Sequence, residues 1–249
     1  MHLCQSFQIE LSLGDVLQNI ETTPASGTQL SQTWDISDCS ILANCIHVNS
    51  TISMQYQNHL AQGLEMPVSF SSVVGTRHVV TNQSFTLSLA RSLTHLKALF
   101  FVLVSTAATE KEVKDFRINV AGETISTAQD AFQWQVVVGS RRYPDYPVQG
   151  GAESYYRLQQ AVHVANNMED ISLTPAVYTS SAAIFGIDFE KSGDQGTAFS
   201  GINTQGQTLS LVVSNAWPSD DNNPRHVFCY RIYDSILNIR GPGGVDIIE

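Results

Sequence analysis

Apolar and polar residues alternate with a period of two along much of the chain. The runs are Phe7 to Leu13, Phe85-Thr-Leu87-Ser-Leu89, Phe132 to Val138, Leu209 to Val213 and Phe228-Cys-Tyr230-Arg-Ile232. Successive side chains of a strand point to opposite sides, so such runs put one face in a core and leave the other wet. Each run is predicted as an antiparallel strand. Ile41 to Val48 and Ala98 to Val104 are apolar on both parities, and so belong in the middle of a sandwich or under a neighbouring subunit. Ala182 to Phe189 reads as a third inner strand. Near the end the apolar parity changes from Phe228, Tyr230 and Ile232 to Leu237 and Ile239, which predicts a bulge or sharp bend at Asp234-Ser235.

Two stretches carry a helical period instead. Ile52, Tyr56, Leu60 and Leu64 recur every four residues over Thr51 to Leu64, and Tyr155, Leu158 and Val162 form a stripe over Gly151 to Ala165. Each predicts a one-sided helix covering a sheet end. Turn formers fill the connections at Thr22 to Gly27, Ser192 to Gly196, Asn215 to Pro224 and Gly241 to Gly244, and Thr109 to Asp115 reads as a charged surface loop or short helix. Between strand Phe132–Val138 and the second helix lies Gly139-Ser-Arg-Arg-Tyr-Pro-Asp-Tyr-Pro147, a basic, aromatic corner stiffened by two prolines. The block suits packing between domains and carries no chemistry.

Eight to ten strands with two short helices in the crossovers fit an all-β fold, an antiparallel β-sandwich of jelly-roll topology made by folding a long ribbon. Another Greek-key sandwich is the alternative. With no internal repeat and no long linker, residues 1–249 are expected to form a single domain, residues 1–30 supplying an N-terminal strand and turn region and 31–249 the main sandwich.

Composition narrows the function. The chain is 43% apolar and only 14% charged, against roughly 25% charged in typical soluble domains, so much of its polar surface is neutral. A formal charge of −10 argues against gripping nucleic acid, which needs clustered Lys and Arg, and the lone Arg141-Arg142 pair suits a carboxylate or a carbonyl better. Four spread cysteines, Cys4, Cys39, Cys45 and Cys229, fit a reducing cytosolic or nuclear compartment. No signal-peptide pattern opens the sequence, and its longest apolar run, Ala98 to Val104, is far short of the ~20 residues that span a bilayer. No membrane insertion is expected. Asn49-Ser-Thr51 and Asn82-Gln-Ser84 match a glycosylation pattern short enough to arise by chance.

Reactive groups are sparse. Asp188 and Glu190 share a strand face, as a glycosidase pair would, but Lys191 and Asp194 follow in a Gly-rich turn, and a solvated strand end is the expectation. His2, His47, His59, His78, His95, His163 and His226 show no metal spacing. Cys39 and Cys45 share a parity and read as small buried hydrophobes. Neither the phosphate-loop nor the Rossmann order occurs among the glycines. No catalytic, cofactor or metal site is therefore expected.

Gly139 to Gln160, Phe85 to Lys97, Phe185 to Glu190 leading to Ala198 to Thr204, and Tyr233 to Arg240 resemble double-jelly-roll major capsid proteins of double-stranded DNA viruses, the group that includes Polinton-like viruses and virophages. The likeness is to their C-terminal jelly roll. Members of that family are about twice as long, so the chain is expected to be a fragment, a relic or a one-domain relative. The resemblance implies a virion protein assembled in the host cytoplasm or nucleus, partnered by its own copies as a trimer, by neighbouring capsid proteins and by a missing N-terminal half. It implies that Arg141, Arg142, Tyr143, Tyr146 and Tyr155 contribute to packing. Two other functions compete: a trimeric jelly-roll module for carbohydrate or receptor with Trp217 stacking on a sugar, and a glycan hydrolase using Asp188 and Glu190.

Overall fold

The computed structural model describes Glu10 and residues 35–40, 42, 47–105, 132–166, 173–175, 178, 183–190, 201–217, 224–241 and 244–248. In chain order the elements are helix α1 (Ser50–Ala61), β1 (Met66–Val80), β2 (Phe85–Ser88), β3 (Leu96–Ser105), β4 (Gln133–Val138), β5 (Arg141–Gln149), helix α2 (Gly150–Asn166), β6 (Phe185–Asp188), β7 (Leu209–Ser214), β8 (Arg225–Arg240) and β9 (Gly244–Ile248). One sheet runs β1-β8-β3-β6, with β9 also on β8, and the other runs β2-β7-β4-β5. Strand partners are thus first with eighth, second with seventh, third with sixth and fourth with fifth. That is a ribbon folded across two sheets, the order of a jelly roll. By residue packing the chain forms two compact units, Ser71–Ser235 and Met1–Phe70 with Ile236–Ile248.

The larger unit holds the core. Leu99 and Phe101 of β3, Trp134, Val136 and Val138 of β4, Leu209, Leu211 and Val213 of β7 and Val227 and Cys229 of β8 are all buried in one cluster. Fully burying one such side chain stabilises the fold by about 1.5–3 kcal/mol. Phe101 meets Trp134 of the opposite sheet edge-on at 5.3 Å and stacks on Phe185 at 4.8 Å. The predicted strands at 85–89, 98–104, 132–138 and 209–213 all take part. Helix α2 follows β5 directly: Glu153 accepts the Gln149 N–H at 3.1 Å, a carboxylate in the first helical turn. Its Leu158 and Ala161 are buried. A Cβ on Gly186 of β6 would meet Ala161 Cβ and the Phe100 ring at 3.0 Å, so glycine lets helix and strand approach.

Several expectations are corrected here. Residues 141–149 form a strand rather than a corner, with the turn confined to Gly139-Ser140; among the described residues β5 ends its sheet, so no described neighbour on its outer side requires the N–H groups that Pro144 and Pro147 lack. The β4–β5 register shifts between Trp134 and Val136, and Gln135 Nε2 donates to the Pro144 carbonyl at 2.7 Å. Among the described residues strand β6 is last in its sheet rather than inner, although its residues 185–187 are buried. On β8 the core parity is Arg225, Val227, Cys229, Arg231, Tyr233 and Ser235, while Phe228, Tyr230 and Ile232 face away. The reason lies in the two arginines: Arg225 lies over the Trp217 ring at 5.0 Å and Arg231 Nη1 donates to the Arg91 carbonyl at 3.2 Å, so both are only 1% exposed. The alternation does break, just past Ser235, but within one continuous strand; the register shift in this region lies between Leu96 and Ala98 on β3.

In the smaller unit, Asn49 caps α1, its side chain accepting the Thr51 N–H at 3.0 Å. Strand β9 pairs with β8 from Ile236↔Ile248 to Arg240↔Gly244, and Arg240 pairs with Glu65 and with Asp246, each at 2.6 Å. Helix α1 precedes β1, and Leu60 is its one buried residue while Ile52 and Tyr56 are exposed. Of Ile41–Val48 only Leu42, His47 and Val48 are described; they are exposed and outside any strand, contrary to an inner position. Cys39 is likewise exposed, in a stretch with no strand partner to bury it. Phe7–Leu13, Thr22–Gly27, Thr109–Asp115, Ser192–Gly196, Cys4, Cys45 and His2 lie outside the described residues.

Candidate functional site

Strand β5 carries four of the five residues singled out from the sequence, and the structure separates the set. Tyr143 turns inward and meets Phe189 edge-on at 5.4 Å. Tyr155 on α2 donates its hydroxyl to the Leu173 carbonyl at 2.7 Å and lies 5.2 Å from the Tyr178 ring. Both are committed within the chain. Arg141 and Arg142 are exposed beside the Gly139-Ser140 turn, and Tyr146, 61% exposed, stands between the two prolines. The bonded Pro144 carbonyl and the proline rings fix the backbone that presents them.

A second surface escaped the sequence reading. On β1, Val73, Gly75, Arg77 and Val79 share one face, and Gly75 sits against the Tyr230 ring of β8. Val73 is 60% exposed, Val79 59% and Tyr230 44%, so this face turned away from the core is largely apolar. Arg77 lies in it, 5.8 Å from the Phe228 ring centre, with its Nη2 3.0 Å from His226 Nε2. Burial, and after it the Arg77 charge, hold His226 below the usual histidine value. The alternation in Val68-Ser-Phe70 and the Val73-Val74 and Val79-Val80 pairs were the signal for β1. Ser69, Ser71 and Ser72 within the strand obscured it.

Groups proposed for chemistry are engaged otherwise. Trp217 is 3% exposed, wedged against Phe85 at 6.3 Å and under Arg225, so it presents no face to a sugar. Asp188 Oδ1 accepts the Glu190 N–H at 2.6 Å. Glu190 is not a solvated strand end: its side chain is 5% exposed and 3.2 Å from Lys97 Nζ, which also reaches Asp234 at 3.5 Å. Ser71 donates to the same Asp234 at 2.9 Å, so the carboxylates tie strands together. Burial pushes the Cys229 thiol up to about 12, the state of an inert sulfur. His59 contacts the Glu65 carbonyl and His47 is exposed, and among the described residues no three His, Cys, Asp or Glu side chains converge as metal ligands.

No family model matches the chain, and no curated protein matches it. Among solved structures it is similar to PBCV-1 VP54 as fitted into a reconstruction of the virophage Sputnik, at 11% identity and a TM-score of 0.47, over 78% of this chain and 54% of that one. It is also similar to a chain of the PBCV-1 virus capsid, at 14% identity and 0.43, over 79% and 54%, and to the mavirus major capsid protein, at 9% and 0.29, over 75% and 40%. The chain spans about half the length of the first two and less of the third. Its strand order identifies a jelly roll, and these solved chains to which it is similar are viral capsid proteins.

Proposed function

We propose that this chain is a viral structural protein, a non-catalytic capsid subunit whose residues 1–249 act as one jelly-roll building block and assemble as trimeric capsomers in the virion. The exposed apolar residues Val73, Val79 and Tyr230 on the outward face of β1 and β8 carry the reading: large apolar side chains turned to water suit contact with another copy. A ribbon-folded core with reactive side chains tied into structural contacts supports it further, as does the motif resemblance to double-jelly-roll capsid proteins. Neighbouring capsid proteins are its other partners, and assembly takes place in the host cell. The burial of Trp217 removes the residue on which the carbohydrate-binding alternative relied.

Size-exclusion chromatography with light scattering tests the reading. A mass three times that of the chain, or a larger assembly built from that unit, is expected. A monomer at every concentration overturns it.

A further inference from the structure

Nine Arg and Lys side chains fall among the described residues. Lys97, Arg157 and Arg240 pair with carboxylates; Arg77, Arg91 and Arg225 lie over aromatic rings; Arg231 donates to a carbonyl. Arg141 and Arg142 are the two left exposed without a partner among the described residues, and they are adjacent. Neighbours on a strand point to opposite sides, so the two guanidinium groups straddle the edge of β5. One carboxylate, Asp145, lies on the same strand, leaving two positive charges against one negative. Four residues beyond Arg142 on the same strand stands the exposed Tyr146, on backbone held by Gln135. Arg and Tyr on a stiff support are the residues that dominate binding energy at protein contacts.

The same accounting for acids leaves one matching pair. Glu65 and Asp246 hold Arg240, Glu190 and Asp234 hold Lys97, Glu153 holds Arg157, and Asp188 accepts a backbone N–H. Glu10, Asp35, Asp38 and Asp145 remain; of these Asp35 and Asp38 stand close together in the chain, exposed and outside any helix or strand, with Ile36 47% exposed between them. In extended chain their Cα atoms stand up to about 10 Å apart, a span suited to two guanidinium groups on either side of a strand edge. Copies of a chain with net charge −10 repel at long range, so contact between them needs opposite charges brought together locally.

We infer that the Arg141-Arg142-Tyr146 strand of one copy docks the Asp35-Ile36-Ser37-Asp38 segment of a second copy. The inference rests on the assembly reading above and names the contact within it. Two different patches meet, so the contact is head-to-tail, the kind that forms a ring such as a trimer when the rotation between copies closes. The prolines and the bulge keep β5 from adding a foreign strand, so side chains carry the recognition.

Charge reversal with light scattering tests this on the full chain, with circular dichroism checking that each variant is folded. Arg141→Glu with Arg142→Glu, and separately Asp35→Lys with Asp38→Lys, should each weaken association at least tenfold at unchanged melting temperature. All four changes in one chain should restore it. Wild-type assembly that survives either pair, or a fourfold variant that stays as weak as the pairs, overturns the inference and leaves the capsid reading standing. Variants that melt earlier at unchanged assembly mass overturn it as well, since the charges would then act within one copy. A wild-type chain that never assembles removes both.

Discussion

Trp134 shows how one side chain joins sheet and helix: it is 1% exposed, its ring meets Phe101 and Phe185, and its Nε1–H donates to Ser154 Oγ on α2 at 3.0 Å. Trp134→Ala should cost about 3–5 kcal/mol, read from denaturant unfolding, because a large cavity forms where two layers meet. A loss below about 1 kcal/mol would mean the core is not built around it. The cysteines divide by environment: at neutral pH iodoacetamide should label exposed Cys39 and leave Cys229 unmodified in the folded chain, since its thiol titrates at about 12. Mass spectrometry of the labelled peptides checks this. His226 sits below the ordinary value of 6.5, so the unfolded chain binds its proton at higher pH than the folded one. Its contribution to stability is complete above pH 6.5 and is lost as pH falls through the folded value. Urea unfolding of wild type and His226→Gln between pH 8 and 5 should diverge on the acid side, and parallel curves would refute the role of this ring.

At the scale of elements, periodicity located strands wherever one face is buried and the other wet, as in Leu209–Val213. It failed where a strand lacks that contrast. Strand β5 holds two prolines and two arginines, and reads as a corner because its polarity reflects an edge rather than an end. For β8 the alternation was visible and its sense reversed, because aromatic stacking and a carbonyl partner bury Arg225 and Arg231 while the apolar parity stays outside. Helix α2 was legible from its stripe, but its closeness to β6 depends on Gly186, which no period marks. Gly186→Val should destabilise by about 1–3 kcal/mol through overpacking against Ala161 and Phe100, measured by thermal or denaturant unfolding. Unchanged stability would show that α2 moves aside freely.

Over the whole molecule, low charge density and exposed apolar residues favour contact between copies, while the net charge sets a threshold against it. Replacing Val73, Val79 and Tyr230 together by serine should lower the assembled mass in light scattering while shifting unfolding little, since exposed positions away from special features change stability by about 0.5 kcal/mol or less each. Assembly that persists would move the contact to other surfaces, and a large stability loss would make this face part of the core. Of the five packing residues read from the sequence, Arg141, Arg142 and Tyr146 are exposed, while Tyr143 and Tyr155 are half-buried against Phe189 and Tyr178. Composition marks such residues as suited to contacts, and only their neighbours decide whether those contacts lie inside the chain or beyond it.

The linear pattern by itself determined an all-β chain with two helices and a folded antiparallel ribbon, because burying one face of each strand requires alternation that any reader of the residues can see. Tertiary structure decided which parity of β8 enters the core, which strands end the sheets, and that Trp217, Glu190 and Cys229 are enclosed while Val73, Val79 and Tyr230 are not. These outcomes depend on partners far away in the sequence: Trp217 under Arg225, Glu190 beside Lys97, Gly186 against Ala161. Side chains are exposed or enclosed by what folds over them, and periodicity along one strand holds no record of that.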